Sequence, residues 1–135
     1  AALPQDSDPI QSYLTQVDLT RLTDVATHLV NDYGPRLPSY SSPYEVDQCP
    51  EFSTTINPKN NLDSASDYVK SLFESMNYAV TTELTTSGGA AAYNVVATKI
   101  GTDYPNTFID VGAHIDSVST PGATAVVELA RVLKD

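Results

Sequence analysis

The sequence has few of the residues that would restrict it to a disulfide-bonded, membrane-spanning or nucleic-acid-binding class. It contains one cysteine, Cys49, in 135 residues, so no disulfide can form within the chain. No apolar run approaches the ~20 residues that a membrane-spanning helix needs. Only 7 lysines and arginines oppose 17 aspartates and glutamates, which gives a formal net charge of -10. A surface this acidic repels nucleic acid and anionic lipid, so neither is expected as a partner.

The start of the sequence lacks an initiator methionine and the basic segment that opens a signal peptide; it begins Ala1-Ala2-Leu3-Pro4. A leader removed during export and a start fixed by cloning both explain such an N-terminus. The first explanation predicts a secreted or extracytoplasmic protein. No Asn-x-Ser/Thr acceptor supports it, and nothing in the sequence indicates an oligomeric state.

Hydrophobic residues make up 41% of the sequence and charged residues 18%, a balance that predicts a folded core. The length fits one domain or a piece of a larger one. We divide the chain into an N-terminal arm, residues 1–17, and a domain segment, residues 18–135. The arm contains one expected helical turn at "PIQSYL", and residues 34–61 form a long, proline-rich loop.

Two helices are predicted before the first strand. Asp18 precedes apolar residues at helical spacing and is placed to cap a helix that ends near residues 31–34. Ser64 and Asp67 have the spacing of a capping box, which predicts that a second helix begins there. Asn77 is suited to the end of that helix.

Three strands and a last helix complete the predicted order. Residues 78–84 alternate in polarity and are joined through Gly88-Gly89 to residues 93–100, which predicts an antiparallel hairpin. Residues 107–114 are mostly apolar and predict an inner strand of the same sheet. The order predicts an α/β fold in which helices flank a mixed β-sheet. The last helix is expected to turn three charged residues outward: Glu128, Arg131 and Lys134.

Some reactive or aromatic residues receive no function from their pattern. Cys49 is interpreted as a buried or idle thiol, because nothing in the sequence brings a base such as His28 to it. Tyr33, Tyr40 and Tyr44 line a cleft in one interpretation, but simple packing of the loop onto the body is favoured.

His114 and Asp116 follow the predicted third strand and are the main candidates for chemistry. In an extended segment, residues two apart point to the same side. Ligands bind at the carboxyl ends of strands in α/β sheets, and an imidazole oriented by a carboxylate is the arrangement found around zinc-binding histidines. By itself the pattern is a weak signal, since a lone histidine at a strand end is more often structural.

Three stretches around this pair occur in a distinctive order: "YNVVATKIGTDYPNTFIDVGAHIDSV", "PGA" and "TAVVELARVLK", with "YGPR" at 33–36 upstream. In this order they resemble the M28 metallopeptidases, a family of di-zinc aminopeptidases and their relatives. The resemblance implies a mixed sheet between helices, of the zinc-peptidase or phosphorylase/hydrolase type, with two zinc ions and peptide substrates. It also implies that His114 is the first zinc ligand and that Asp116 is the carboxylate that orients this histidine during catalysis.

The sequence departs from the family pattern after the Gly122-Ala123 turn. Relatives carry a segment of the form A-D-D-N-x-S-G there, which includes the bridging zinc ligand, whereas this chain runs directly into Thr124. The remaining ligands of the family would lie beyond Asp135, so His114 is the one ligand expected in this chain. We therefore expect part of an M28-like peptidase domain, inactive by itself, and a fragment is favoured over a natural truncated product.

Other interpretations stay open. An M28-like domain used for binding without catalysis fits the missing ligand segment, and a glutaminyl cyclase on the same architecture is also compatible. Ser117 as a nucleophile is least favoured, because no G-x-S-x-G elbow surrounds it. Asp110 and Glu128 are not assigned as ligands, the latter because its helix pattern predicts a solvated position.

Overall fold

In the computed structural model, the described residues are 9–33, 36, 58–87, 90–116 and 121–134. They contain these elements: α1 (Pro9–Leu14), α2 (Leu19–Asn31), α3 (Pro58–Ser75), β1 (Ala79–Ser87), β2 (Ala90–Thr98) and α4 (Pro121–Val132). Helix α3 packs against the two strands, and α4 packs against α2 and α3. The predicted α/β class is confirmed. None of the helices described is both long enough and apolar enough to cross a membrane.

Both helical segments predicted before the proline-rich loop are present. Helix α1 coincides with "PIQSYL" in the N-terminal arm. Helix α2 begins after Asp18, whose carboxylate accepts hydrogen bonds from the backbone N–H groups of Thr20 at 2.9 Å and Arg21 at 3.2 Å. These bonds satisfy two of the donors that have no partner in the first turn of a helix. Asp18 is therefore the N-cap, as predicted.

The predicted start of the second helix is wrong by about two turns. Helix α3 begins at Pro58, so Ser64 and Asp67 lie inside it instead of forming a capping box. Proline suits the first helical position because its ring fixes a helical φ and its missing N–H would have no intrahelical partner there. Ser64 and Asp67 have the spacing of a capping box, but this spacing does not mark a helix start here, because both residues lie within α3.

Asn77 ends helix α3, as predicted, by adopting a left-handed backbone with φ 63°. Its N–H donates to the carbonyl of Glu74 at 3.0 Å, and the N–H of Tyr78 donates to the carbonyl of Phe73 at 3.2 Å. This pair of bonds is the Schellman arrangement, which satisfies carbonyls left without partners at a helix end. Asparagine tolerates the left-handed region better than other residues with a Cβ atom. The chain therefore turns sharply from α3 into β1.

The predicted hairpin is confirmed. Strands β1 and β2 pair in antiparallel register from Ala79 opposite Thr98 to Ser87 opposite Ala90. The connecting Gly88-Gly89 lies outside the described residues. Against this sheet and between the helices lies a core of six buried residues: Leu29, Ala65, Val69, Phe73, Ala123 and Val127.

The prediction that residues 107–114 form an inner strand is wrong for this structure. These residues have no strand pairing, and the sheet of the described residues contains β1 and β2. Phe108 and Ile109 are 67% and 90% exposed. An apolar composition suits a strand to burial, but the strand forms only where a neighbouring backbone supplies hydrogen-bond partners. In this structure neither strand of the hairpin supplies them.

The predicted outward position of Glu128 is also wrong. Helix α4 runs unbroken from Pro121 to Val132, and Glu128 is 6% exposed. Its Oε1 accepts a hydrogen bond from the backbone N–H of Asp18 at 2.8 Å, and Arg131 donates to both carboxylate oxygens, at 2.7 and 2.9 Å. Hydrogen bonds from these partners offset the cost of burying the carboxylate. Helical spacing identifies the apolar stripe of α4 but contains no information about these partners.

Candidate functional site

His114 and Asp116 are in direct contact. Nδ1 of the imidazole lies 2.8 Å from Oδ1 of the carboxylate. The His114 side chain is 89% exposed and that of Asp116 is 27% exposed. The predicted contact between the carboxylate and the ring is present, but the sheet edge from which His114 was predicted to point is not, because residues 107–114 form no strand.

The contact fixes which nitrogen of His114 faces solvent. An ionised carboxylate can only accept hydrogen bonds, so Nδ1 of the ring is the donor to Asp116. In the neutral imidazole, Nε2 then carries the free lone pair and points away from the carboxylate. This is the tautomer in which a histidine can offer Nε2 to a metal ion or accept a proton there.

The segment that carries the pair packs against the body of the protein at two residues, Ala113 and Ile115. The side chain of Ile115, between His114 and Asp116, packs against the hydrophobic core. Helix α4 approaches the preceding residue so closely that a Cβ atom built on Gly122 would lie 3.1 Å from the Cβ of Ala113. Glycine at this position therefore allows the first turn of α4 to pack against the segment that carries the histidine.

Arg36 connects this segment to helix α2 through two hydrogen bonds. Its Nε donates to the carbonyl oxygen of Ile115 at 3.0 Å, and its Nη1 donates to the carbonyl oxygen of Leu29 at 2.6 Å. The residue has no solvent exposure, and its burial lowers the pKa of the guanidinium. Arg36 received no role from the sequence pattern beyond its place in "YGPR". A basic residue between Pro35 and Leu37 was the one signal that could have indicated a buried polar contact.

Three or more metal-ligating side chains do not come together anywhere in the described part of the chain. A catalytic zinc ion needs about three protein ligands and an open position. His114 with its orienting Asp116 fits one ligand of such a site, but the described residues do not complete it. Asp110 is exposed, and Glu128 is engaged by Arg131 and Asp18, so neither is placed as a further ligand.

His28, the second histidine, belongs to an aromatic cluster. Its ring centroid lies 4.3 Å from that of Tyr68 and 5.4 Å from that of Tyr33, and its Nδ1 pairs with Asp32. Burial and the neighbouring Asp32 raise the pKa of both tyrosines, with Asp67 adding to the effect on Tyr33. The cluster supports the interpretation that Tyr33 packs onto the body of the protein.

The other residues considered for function lie outside the described residues: Tyr40, Tyr44, Cys49 and Ser117. A small cavity lies between α2, α3 and α4, and its lining includes Val25, Met76 and Glu128. Neither His114 nor Asp116 lines it. The His114–Asp116 pair is therefore a surface feature, separate from this cavity.

Two of the known proteins that this chain is similar to match it distantly and in part. The chain is 36% identical over 72 residues to leupeptin-inactivating enzyme 1 of Streptomyces exfoliatus, a match that covers 47% of this chain and 16% of that enzyme. It is 31% identical over 121 residues to the uncharacterized protein YfbL of Escherichia coli K12, covering 73% of this chain and 37% of that protein. The chain thus spans well under half the length of these relatives. No family model matches the sequence, and no solved structure matches it significantly.

Proposed function

We propose that this chain is part of a zinc-dependent peptidase of the M28 type, which releases residues from the N-terminus of peptides. The observation that carries the proposal is the 2.8 Å contact between Nδ1 of His114 and Asp116, which leaves Nε2 exposed. The M28-like order of motifs around this pair supports the family. The partial similarity to an enzyme named for inactivating leupeptin supports action on a peptide.

Each residue of the pair has a distinct role in this proposal. His114 binds one of two zinc ions through Nε2, and Asp116 holds the ring in the tautomer that makes this possible. A bound zinc ion supplies a polarising charge for the scissile carbonyl and for an attacking water. The protein is secreted or extracytoplasmic in this proposal, and its substrate is a peptide with a free N-terminus.

Residues 1–135 alone should have little peptidase activity. One imidazole ligand is fewer than the roughly three that hold a catalytic zinc ion. The family resemblance places the general base outside this chain as well, so residues 1–135 forgo a contribution of about 10²–10⁴-fold from proton transfer. The proposal therefore concerns a longer protein that carries this chain together with the remaining ligands.

The test is hydrolysis of a chromogenic leucyl amide by that longer protein, with and without a chelator. We expect turnover that the chelator abolishes and that zinc restores, with His114→Ala nearly inactive. His28→Gln is the matched control and should retain activity, because the contacts of the His28 ring are with Asp32, Tyr33 and Tyr68. Turnover that survives both the chelator and His114→Ala would contradict the proposal, as would robust chelator-sensitive turnover by residues 1–135 alone.

A non-catalytic M28-like binding domain is the second candidate. It is favoured by helix α4, which runs unbroken through Ala123 and Thr124, where the family pattern has the segment with the bridging ligand. The two candidates differ in metal content. Stoichiometric zinc with hydrolysis in the longer protein supports the peptidase, whereas a folded longer protein that neither retains zinc nor cleaves the leucyl amide supports the binding domain.

A further inference from the structure

We propose that Arg36 is a positioning residue, which holds the backbone between His114 and Asp116 so that the imidazole keeps one direction and one tautomer. The importance of Arg36 for catalysis rests on the proposed peptidase function. Its effect on the orientation of His114 and Asp116 does not depend on that function. Arg36 donates a hydrogen bond to the carbonyl oxygen of Ile115, the residue between the two members of the pair.

The guanidinium connects two parts of the chain that are far apart in sequence. Nε reaches Ile115, 79 residues away, while Nη1 reaches Leu29 in the last turns of helix α2. Carbonyls near a helix C-terminus carry a partial negative charge and favour a cation. Charge-assisted hydrogen bonds of this kind also offset part of the cost of burying the guanidinium. Helix α2 thus provides a fixed support from which Arg36 holds the carbonyl of Ile115.

The exposed position of His114 makes this support necessary. Because 89% of its side chain is open to solvent, surrounding side chains contribute little to fixing its rotamer. The hydrogen bond to Asp116 can form only while the backbone at residue 115 presents both side chains on the same side. Holding the carbonyl of Ile115 restricts the peptide group that links Ile115 to Asp116, and therefore the relative orientation of the pair.

Arginine is specifically suited to this contact. Its planar fork presents several N–H donors in fixed, diverging directions, so one side chain can donate to two separate carbonyls. A lysine at position 36 keeps the positive charge but has a single ammonium group at the end of a flexible stem. Arg36→Lys therefore separates the effect of charge from the effect of the two-carbonyl contact.

The experiment uses residues 1–135 with ¹⁵N-labelled histidine, and it needs neither metal nor substrate. Ring nitrogen shifts of His114, recorded by NMR at a fixed, mildly alkaline pH, report which nitrogen carries the proton. We expect the Nδ1–H tautomer to predominate in the unmodified chain and a mixture of tautomers in Arg36→Lys. His28 gives the other histidine signal in the same spectrum, and its loss in His28→Gln distinguishes it from His114.

Two controls separate positioning from general destabilisation. Arg21→Lys, at an exposed position on α2, should leave the His114 ring shifts unchanged. In Arg36→Ala, guanidinium added well below denaturing concentrations should restore part of the Nδ1–H signal. Urea unfolding of every variant shows whether it is folded under the conditions of the NMR measurement.

The proposal is overturned if a folded Arg36→Lys keeps the unmodified His114 spectrum. If the Arg36 variants do not fold, the unmodified chain still decides the question. In a second sample with ¹⁵N-labelled arginine, the Arg36 Nε–H should exchange slowly with water because it is buried and bonded to Ile115, and fast exchange would overturn the proposal. A positive result together with an inactive longer protein would support positioning by Arg36 while rejecting the peptidase function.

Discussion

The phenol of Tyr78 donates a hydrogen bond of 2.8 Å to the backbone carbonyl oxygen of Ala130. It connects the turn before β1 to the last part of α4, two segments 52 residues apart. The ring also packs edge-on against Phe73 of α3, with centroids 6.1 Å apart. One side chain thus joins the hairpin, α3 and α4, the elements that surround the core.

Tyr78→Phe should reduce the free energy of unfolding by about 1 kcal/mol, because it removes this bond but keeps the aromatic packing. Tyr104→Phe is the matched control; Tyr104 is 76% exposed, and its change should be within about 0.5 kcal/mol. Urea unfolding followed by circular dichroism measures both. Equal effects of the two substitutions would show that the Tyr78 bond contributes nothing to stability.

Asn77 should tolerate glycine but not a β-branched residue. Its φ of 63° lies in the left-handed region, where a residue with a bulky Cβ is strained by about 1–2 kcal/mol. We expect Asn77→Val to lose roughly that much stability and Asn77→Gly to stay close to the unmodified chain. Thermal unfolding of the two variants gives the comparison. A fully stable Asn77→Val would mean that the chain leaves α3 with a different backbone from the one described.

The elements predicted correctly from the sequence are those whose signals are local. Asp18 caps α2 because its own carboxylate reaches N–H groups two and three residues later. Asn77 ends α3 for an equally local reason, since the conformation of its own backbone reverses the chain. The hairpin follows from alternation in the first strand and from the glycine pair between the two strands.

The incorrect predictions depended on partners distant in sequence. Glu128 is buried because Asp18, 110 residues earlier, supplies a backbone donor, and helical spacing carries no information about that. Residues 107–114 have the composition of an inner strand, but pairing requires a neighbour that composition does not specify. For the candidate site, the His114–Asp116 contact was predictable because the two residues are two apart. The attachment through Arg36 spans 79 residues and was not.

Glu128 should make the stability of the chain depend on pH in the acid range. The hydrogen bonds from Arg131, helped by the N–H of Asp18, hold the pKa of Glu128 below its usual value despite the opposing effect of burial. Its ionised form therefore stabilises the fold above the usual glutamate pKa of about 4.3. That contribution is lost as the pH falls through the lowered pKa of the folded state.

Glu128→Gln keeps the shape of the side chain and removes its charge. We expect a loss of about 1–3 kcal/mol at neutral pH and a smaller further loss on acidification than in the unmodified chain. Glu83→Gln, at an exposed position on β1, is the control and should change neutral-pH stability by less than about 0.5 kcal/mol. Urea unfolding at several pH values tests this. Parallel stability curves for Glu128→Gln and the unmodified chain would contradict the assigned role of the carboxylate.

Asp116→Asn should weaken zinc binding in the longer protein without removing a ligand. The amide is close in shape to the carboxylate, but it has no negative charge to stabilise the Nδ1–H tautomer of His114. Substitution of carboxylates that orient metal-binding histidines typically lowers metal affinity by about 10–100-fold, and we expect a loss in that range. Asp110→Asn is the matched control, an exposed carboxylate on the same segment, and should bind zinc as the unmodified protein does. Competition with a chromogenic chelator measures the three affinities. If Asp116→Asn and Asp110→Asn bind zinc equally well, Asp116 does not orient a metal-binding histidine, and its contact with His114 is structural.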